Sequence, residues 1–173
     1  SGDIFKSDTW REVVDNVQDH KSTLHFLGLF SDGNVHSHLN HLKAMVVQAK
    51  KEGISKVRFH LLLDGRDVPA TSALEYVLPF EAFLKDINDD SFEAKIASGG
   101  GRMNITMDRY GADWNMVDRG WKTHVLGEAP QFESTEAAIL SARADQENIG
   151  DQNLPPFVVA EKGKAIGKIN DGD

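Results

Sequence analysis

Three strand-like runs, the first densely apolar and each stopped by a polar or glycine-rich group, constrain this chain of 173 residues more than any other feature. The first covers residues 23–30, a length that suits a buried strand better than a helix. Ser31-Asp32-Gly33-Asn34 then supplies turn chemistry. Beyond the turn, Leu39, Leu42, Val46 and Ala49 recur at helical spacing, so a helix starts near His38. It ends at Gly53, a left-handed C′ residue preceded by the cations Lys50 and Lys51. The second run, 56–63, ends in Asp64-Gly65-Arg66-Asp67, and the third, 92–97, ends in Ser98-Gly99-Gly100-Gly101-Arg102.

Helical patterns alternate with these strands. A short amphipathic one carries Trp10, Val13, Val14 and Val17, and others cover 72–86, a stretch opening near Asp113, and 136–144. Pro79 is expected to kink or break its helix, because it removes a backbone donor. Trp114, Val117, Trp121 and Val125 share one helical face and are expected in the core. Runs at 156–161 and 165–169, joined at Lys162-Gly163, read as a hairpin at the edge of a sheet. The pattern predicts an α/β fold: a three-layer α/β/α sandwich with a mostly parallel central sheet and a C-terminal edge hairpin.

Composition excludes several functions. There is no cysteine, so disulfides and thiolate metal sites are out. No apolar run approaches the ~20 residues of a membrane span, and the N-terminus lacks signal-peptide layout. The net charge of −8 argues against binding nucleic acid by phosphate neutralisation. It leaves room for a small anion, because screening confines charge effects to about 8 Å at physiological salt.

Open α/β sheets bind ligands where strand carboxyl ends meet their turns. His36, Arg66, Asp67, Arg102 and Arg109 are expected to converge there. Arg66 offers a rigid fork for carboxylate or phosphate, and Asp67 could accept a hydroxyl proton. Gly99-Gly100-Gly101 is read as a nest whose amides turn toward an anion. His36-Ser37-His38 resembles the metal motif of amidohydrolase barrels, but such barrels need roughly 250 residues. No metal is therefore assigned to His36, His38 or His41.

Taken in order, Ser31-Asp32-Gly33-Asn34-Val35-His36-Ser37-His38, Leu63-Asp64-Gly65-Arg66-Asp67-Val68, Ser98-Gly99-Gly100-Gly101-Arg102, Met107-Asp108-Arg109-Tyr110 and Leu126-Gly127-Glu128-Ala129-Pro130 resemble the cofactor-independent (2,3-bisphosphoglycerate-independent) phosphoglycerate mutases. They match that family's transferase, or substrate-binding, domain, which is inserted into an alkaline-phosphatase-like domain. The resemblance implies interconversion of 3-phosphoglycerate and 2-phosphoglycerate in glycolysis and gluconeogenesis, through a phosphoserine on the phosphatase half. It implies two divalent metal ions, manganese for preference, held by that half and not by this chain, and no 2,3-bisphosphoglycerate.

By the same resemblance, His36 would bond the phosphoryl group or the reacting hydroxyl. Arg66 would clamp the glycerate, Asp67 would orient its hydroxyl and serve as general base, and Arg102 and Arg109 would hold carboxylate or phosphate. Residues 1–173 would be one domain excerpted from a two-domain enzyme, with 1–8 and 170–173 near the hinges. The resemblance further implies a cytoplasmic monomer, inactive as this chain alone, whose partners are the phosphatase domain of the same polypeptide and the substrate. A stand-alone phospho-acid-binding or regulatory module is the competing reading, and a self-contained metal hydrolase is a third.

Overall fold

The computed structural model describes residues 2–106, 111 and 113–173. Its elements run α1 (Asp8–His20), β1 (Leu24–Phe30), α2 (Leu39–Lys51), β2 (Lys56–Leu63), α3 (Ala73–Ile87), β3 (Glu93–Gly101), α4 (Trp114–Trp121), β4 (Gln131–Phe132), α5 (Thr135–Asp145), β5 (Phe157–Glu161) and β6 (Lys164–Ala165). A single π-turn, Lys122–Leu126, continues α4. The sheet order is β1-β2-β3-β5-β4, with β6 paired to β5. β1, β2 and β3 are mutually parallel, as are β4 and β5, while β3 and β5 run antiparallel. The mostly parallel α/β sheet is thus as expected. The hairpin forms as well, but its first strand lies inside the sheet between β3 and β4.

Alternation along β2 separates two faces. Val57, Phe59, Leu61 and Leu63 enter a core shared with Val14, Val46, Val77, Phe80 and Ile139 from four helices. Phe80 anchors it, with edge-to-face contacts to Phe59 and Phe30 at centroid distances of 5.1 and 5.2 Å. Parallel crossovers are right-handed, which brings α2 and α3 to this one face. Helix α3 passes through Pro79 without a break. The proline is exposed, so the carbonyl that loses its intrahelical partner can turn to water.

Three residues of strand β3 depart from expectation. Gly99, Gly100 and Gly101 continue the strand opposite Leu61, Leu62 and Leu63. Their role is steric: a Cβ on Gly99 would lie 2.7 Å from the Phe157 ring, and one on Gly100 would lie 2.8 Å from Ile105. The Gly101 amide is spent on Leu154 O. The glycines let β5 and the following turn approach; they form no anion nest.

On the second face, the expected core tryptophans point outward, with Trp114 74% and Trp121 59% exposed. Met116 and Gly120 are the buried residues of α4, because Gly120 packs directly on Thr106. Beneath the π-turn lies a buried polar chain. Asp173 Oδ2 meets His25 Nε2 at 3.2 Å, and His25 Nδ1 meets His60 Nε2 at 2.8 Å. His60 Nδ1 then meets Ser98 Oγ at 2.6 Å, and Ser98 Oγ meets His124 Nδ1 at 2.7 Å.

Charge at one end orders the protons. Burial opposes ionisation of Asp173, but the amides of Thr23 and Asn170 hold its carboxyl below the usual range. Asp173 therefore accepts from His25 Nε2–H. Each imidazole that donates at one nitrogen accepts at the other, so His60 donates to His25, Ser98 to His60 and His124 to Ser98. His124 Nε2 is left buried without a partner among the described residues.

Burial pushes His124 down to about 4 and, with its histidine neighbours and Arg58, His60 to about 2; burial also lowers His25. Between pH 6.5 and about 4 the unfolded chain therefore binds more protons than the folded one, and stability falls as pH drops. The slope is about 1.4 kcal/mol per pH unit for each histidine still neutral. Urea unfolding midpoints should decline from pH 7 to pH 5. His124→Asn, which keeps a donor to Ser98, should make that decline shallower.

Candidate functional site

Parallel strands end together, so the turns after β1, β2 and β3 share one edge. After β1, Ser31 is buried and its Oγ accepts the Gly33 amide at 3.1 Å. Asn34 adopts φ 56°, which asparagine tolerates. The Ser37 hydroxyl donates to Leu29 O at 2.7 Å, and His38 Nδ1 caps α2 by accepting the Asn40 amide at 3.1 Å. His38 is thus a capping residue. His36 stands exposed at the turn, its Nδ1 2.9 Å from Asp67 Oδ2.

The turn after β2 is organised by Asp64. Its Oδ1 accepts the amides of Arg66 and Asp67, both at 3.1 Å, while Gly65 takes φ 64°. The same oxygen accepts Arg102 Nη1 at 2.9 Å, and Asp67 Oδ2 accepts that Nη1 at 3.2 Å. The Arg102 side chain is 1% exposed, as is that of Asp64, so the pairing offsets a large desolvation cost. Gly33 packs on Asp67, locking the first turn to the second; a Cβ there would sit 2.7 Å from Asp67 O.

The electrostatics follow from this packing. The His36 hydrogen bond, joined by Arg102 and opposed by partial burial, holds the Asp67 carboxyl below the usual range. Asp67 is therefore ionised at neutral pH, and His36 carries its proton on Nδ1 with Nε2 facing away from Asp67. Asp67 Oδ1 makes no hydrogen bond among the described residues. Arg66 is exposed and its side chain has no partner among them. The arrangement presents an uncommitted carboxylate oxygen beside an imidazole, with the exposed Arg66 next to Asp67 on the same turn, suited to a small anion bearing a hydroxyl.

His36, Arg66, Asp67 and Arg102 thus gather as the strand pattern predicts, though Arg102 lies inside and not at the surface. Arg109, with Met107, Asp108 and Tyr110, falls outside the described residues. No group of three or more metal-ligating side chains occurs among the described residues. The divalent ions implied by resemblance have no holder among them, and no step assigned to this chain uses one. Asp64 escaped the sequence reading. Its one signal was position, two and three residues before the amides it binds, as in an Asx turn; the Arg102 contact had no local signal. The apolar groove beside β1, lined by Leu27, Gly28, Leu42 and Met45, is a separate feature.

Removing Arg102 would leave Asp64 buried and unpaired. Arg102→Ala should cost about 3–5 kcal/mol, read from urea unfolding, whereas Arg66→Ala at the exposed position should stay within about 0.5 kcal/mol.

The family model described as BPG-independent PGAM N-terminus matches residues 1–173. A probable 2,3-bisphosphoglycerate-independent phosphoglycerate mutase of Leptospira interrogans is 56% identical over 173 residues, all of this chain and 32% of the relative. The 2,3-bisphosphoglycerate-independent phosphoglycerate mutase of Trypanosoma brucei brucei is 44% identical over 174 residues, again covering 100% of this chain and 32% of the relative. A crystal structure of Leishmania mexicana phosphoglycerate mutase superimposes with TM-score 0.95 at 43% identity, over 99% of this chain and 32% of that one. The chain spans about a third of the length of the curated relatives it matches. No described helix is long and apolar enough to cross a membrane.

Proposed function

The chain belongs to the BPG-independent PGAM N-terminus family, and from that membership we propose that it is the substrate-binding part of an enzyme interconverting 3-phosphoglycerate and 2-phosphoglycerate. One observation carries the proposal: a half-committed Asp67 and His36 meet over the buried Arg102–Asp64 pair, with the exposed Arg66 on the same turn, at the carboxyl edge of three parallel strands. Substrate and site are complementary. Arg66 clamps the glycerate carboxylate through its planar fork. Asp67 uses Oδ1 to orient the glycerate hydroxyl and to take its proton. Its low proton affinity in the open site rises once the ligand excludes water. His36 Nε2 bonds the phosphoryl group or the reacting hydroxyl, with Nδ1 fixed by Asp67. Arg102 supplies positive charge from beneath, and Arg109 belongs to the same anion-binding set.

The rest of the reading concerns the whole enzyme. Phosphate passes through a serine on a phosphatase domain of the same polypeptide, where two divalent ions, manganese for preference, would supply Lewis acidity. This chain's residues hold the glycerate during that exchange and discriminate its two hydroxyls by orientation. The enzyme works as a cytoplasmic monomer in glycolysis and gluconeogenesis without 2,3-bisphosphoglycerate. Residues 1–173 are its single substrate-binding domain, with 1–8 and 170–173 close to the hinges.

An amide NMR titration of the 173-residue chain with 3-phosphoglycerate, using sulfate and glycerate as controls, tests the binding claim. Selective shifts should fall on His36, Arg66 and Asp67. In the full-length enzyme, Arg66→Ala combined with Asp67→Ala should lower kcat/KM by about a hundredfold or more, given ~1.5–3 kcal/mol for each charge-assisted bond lost. Unchanged mutase activity in that double variant would sink the reading.

A further inference from the structure

We propose that Asp64 is the positioning residue of this site, holding the Arg66–Asp67 turn and the Arg102 guanidinium in register through one carboxylate oxygen. The proposal rests on the reading of Asp67 and Arg102 as ligand-directed groups. Asp64 is not itself a ligand: its side chain is 1% exposed, and its Oδ1 is already shared by three donors. Those donors come from both sides of the site, two amides from the turn after β2 and a guanidinium from the end of β3. Asp64 Oδ2 is buried without a partner among the described residues. An asparagine would form the same turn with less desolvation cost; what it lacks is the charge that faces Arg102.

That charge determines what Asp67 is free to do. Arg102 Nη1 lies closer to Asp64, at 2.9 Å, than to Asp67, at 3.2 Å. Asp67 uses a single oxygen, Oδ2, for both Arg102 and His36. With Asp64 neutral, Arg102 keeps, among the described residues, only the longer carboxylate contact to Asp67 and is no longer held in one place. A loose Arg102 then competes with His36 for the same Oδ2, and His36 loses its orienting contact. Asp64 thus holds the cation so that Asp67 can face a ligand.

The test is NMR of the arginine side chains in the 173-residue chain. In the wild type, the Arg102 guanidinium should give resolved, slowly rotating Nη signals, and the exposed Arg66 an averaged one. Asp64→Asn should average the Arg102 signals while the Arg66 and Asp67 amides keep their hydrogen bonds to the side-chain oxygen. Asp67→Asn, which removes the charge at the longer of the two contacts to Arg102, should leave Arg102 resolved. Averaging of Arg102 in Asp67→Asn would overturn the proposal even if Asp64→Asn failed to fold, because Asp67 would then be the anchor.

In the full-length enzyme, assayed well below the variant's thermal midpoint, Asp64→Asn should reduce kcat/KM about tenfold or more. Full activity in a variant with a mobile Arg102 would equally overturn it. A wild-type enzyme without mutase activity would refute the proposed function and leave the NMR result standing.

Discussion

The site depends on one buried ion pair. Arg102 and Asp64 leave water almost completely, a step costing several kcal/mol per ion that only close, multiply bonded geometry offsets. The pair meets that condition by joining the ends of two adjacent strands. The ladder of β2 on β3 brings Leu63 opposite Gly101, so the next residues, Asp64 and Arg102, emerge side by side. Because Asp64 also grips the amides of Arg66 and Asp67, strand register passes directly into the geometry of the turn proposed to face the ligand. The turn after β1 is added by contact: Gly33 lies on Asp67, and His36 closes onto the same carboxylate.

The opposite side of the sheet answers a different requirement. There the chain buries three imidazoles and a serine in one hydrogen-bonded file. A neutral file avoids the cost of a buried charge, and Asp173 polarises it from its solvent-near end. Such a network specifies packing more than strength, since every member has few alternative partners. It starts near the amino end of β1 at His25 and crosses β2 and β3 at His60 and Ser98, on the face of the sheet turned away from Phe59 and Leu61.

Much of this was legible in the sequence because parallel strands advertise themselves. Residues 56–63 hold Val57, Phe59, Leu61, Leu62 and Leu63 in one short run that stops at Asp64, and β2 spans Lys56–Leu63. Polar groups after each run marked the edge where His36, Arg66, Asp67 and Arg102 meet. The misreadings arose where local pattern and tertiary packing compete. Three glycines in a row have the flexibility of a nest, yet close approach of Phe157 and Ile105 draws them into the strand. Trp114 and Trp121 follow helical periodicity, but Gly120 against Thr106 sets which face turns inward.

What the sequence by itself determined is the alternation of the first three strands with helices, the edge at which the polar turn groups collect and the family to which the chain belongs, because periodicity and turn residues are local properties. What only the tertiary structure decided is who holds whom. Asp64 is 38 residues from Arg102, and His25 is 148 from Asp173. No local spacing encodes such pairs; they exist because sheet register and the fold of the tail bring distant side chains within hydrogen-bond reach. The depressed proton affinities of His60 and His124 have the same origin, since desolvation is a property of what surrounds a residue and not of its neighbours in sequence.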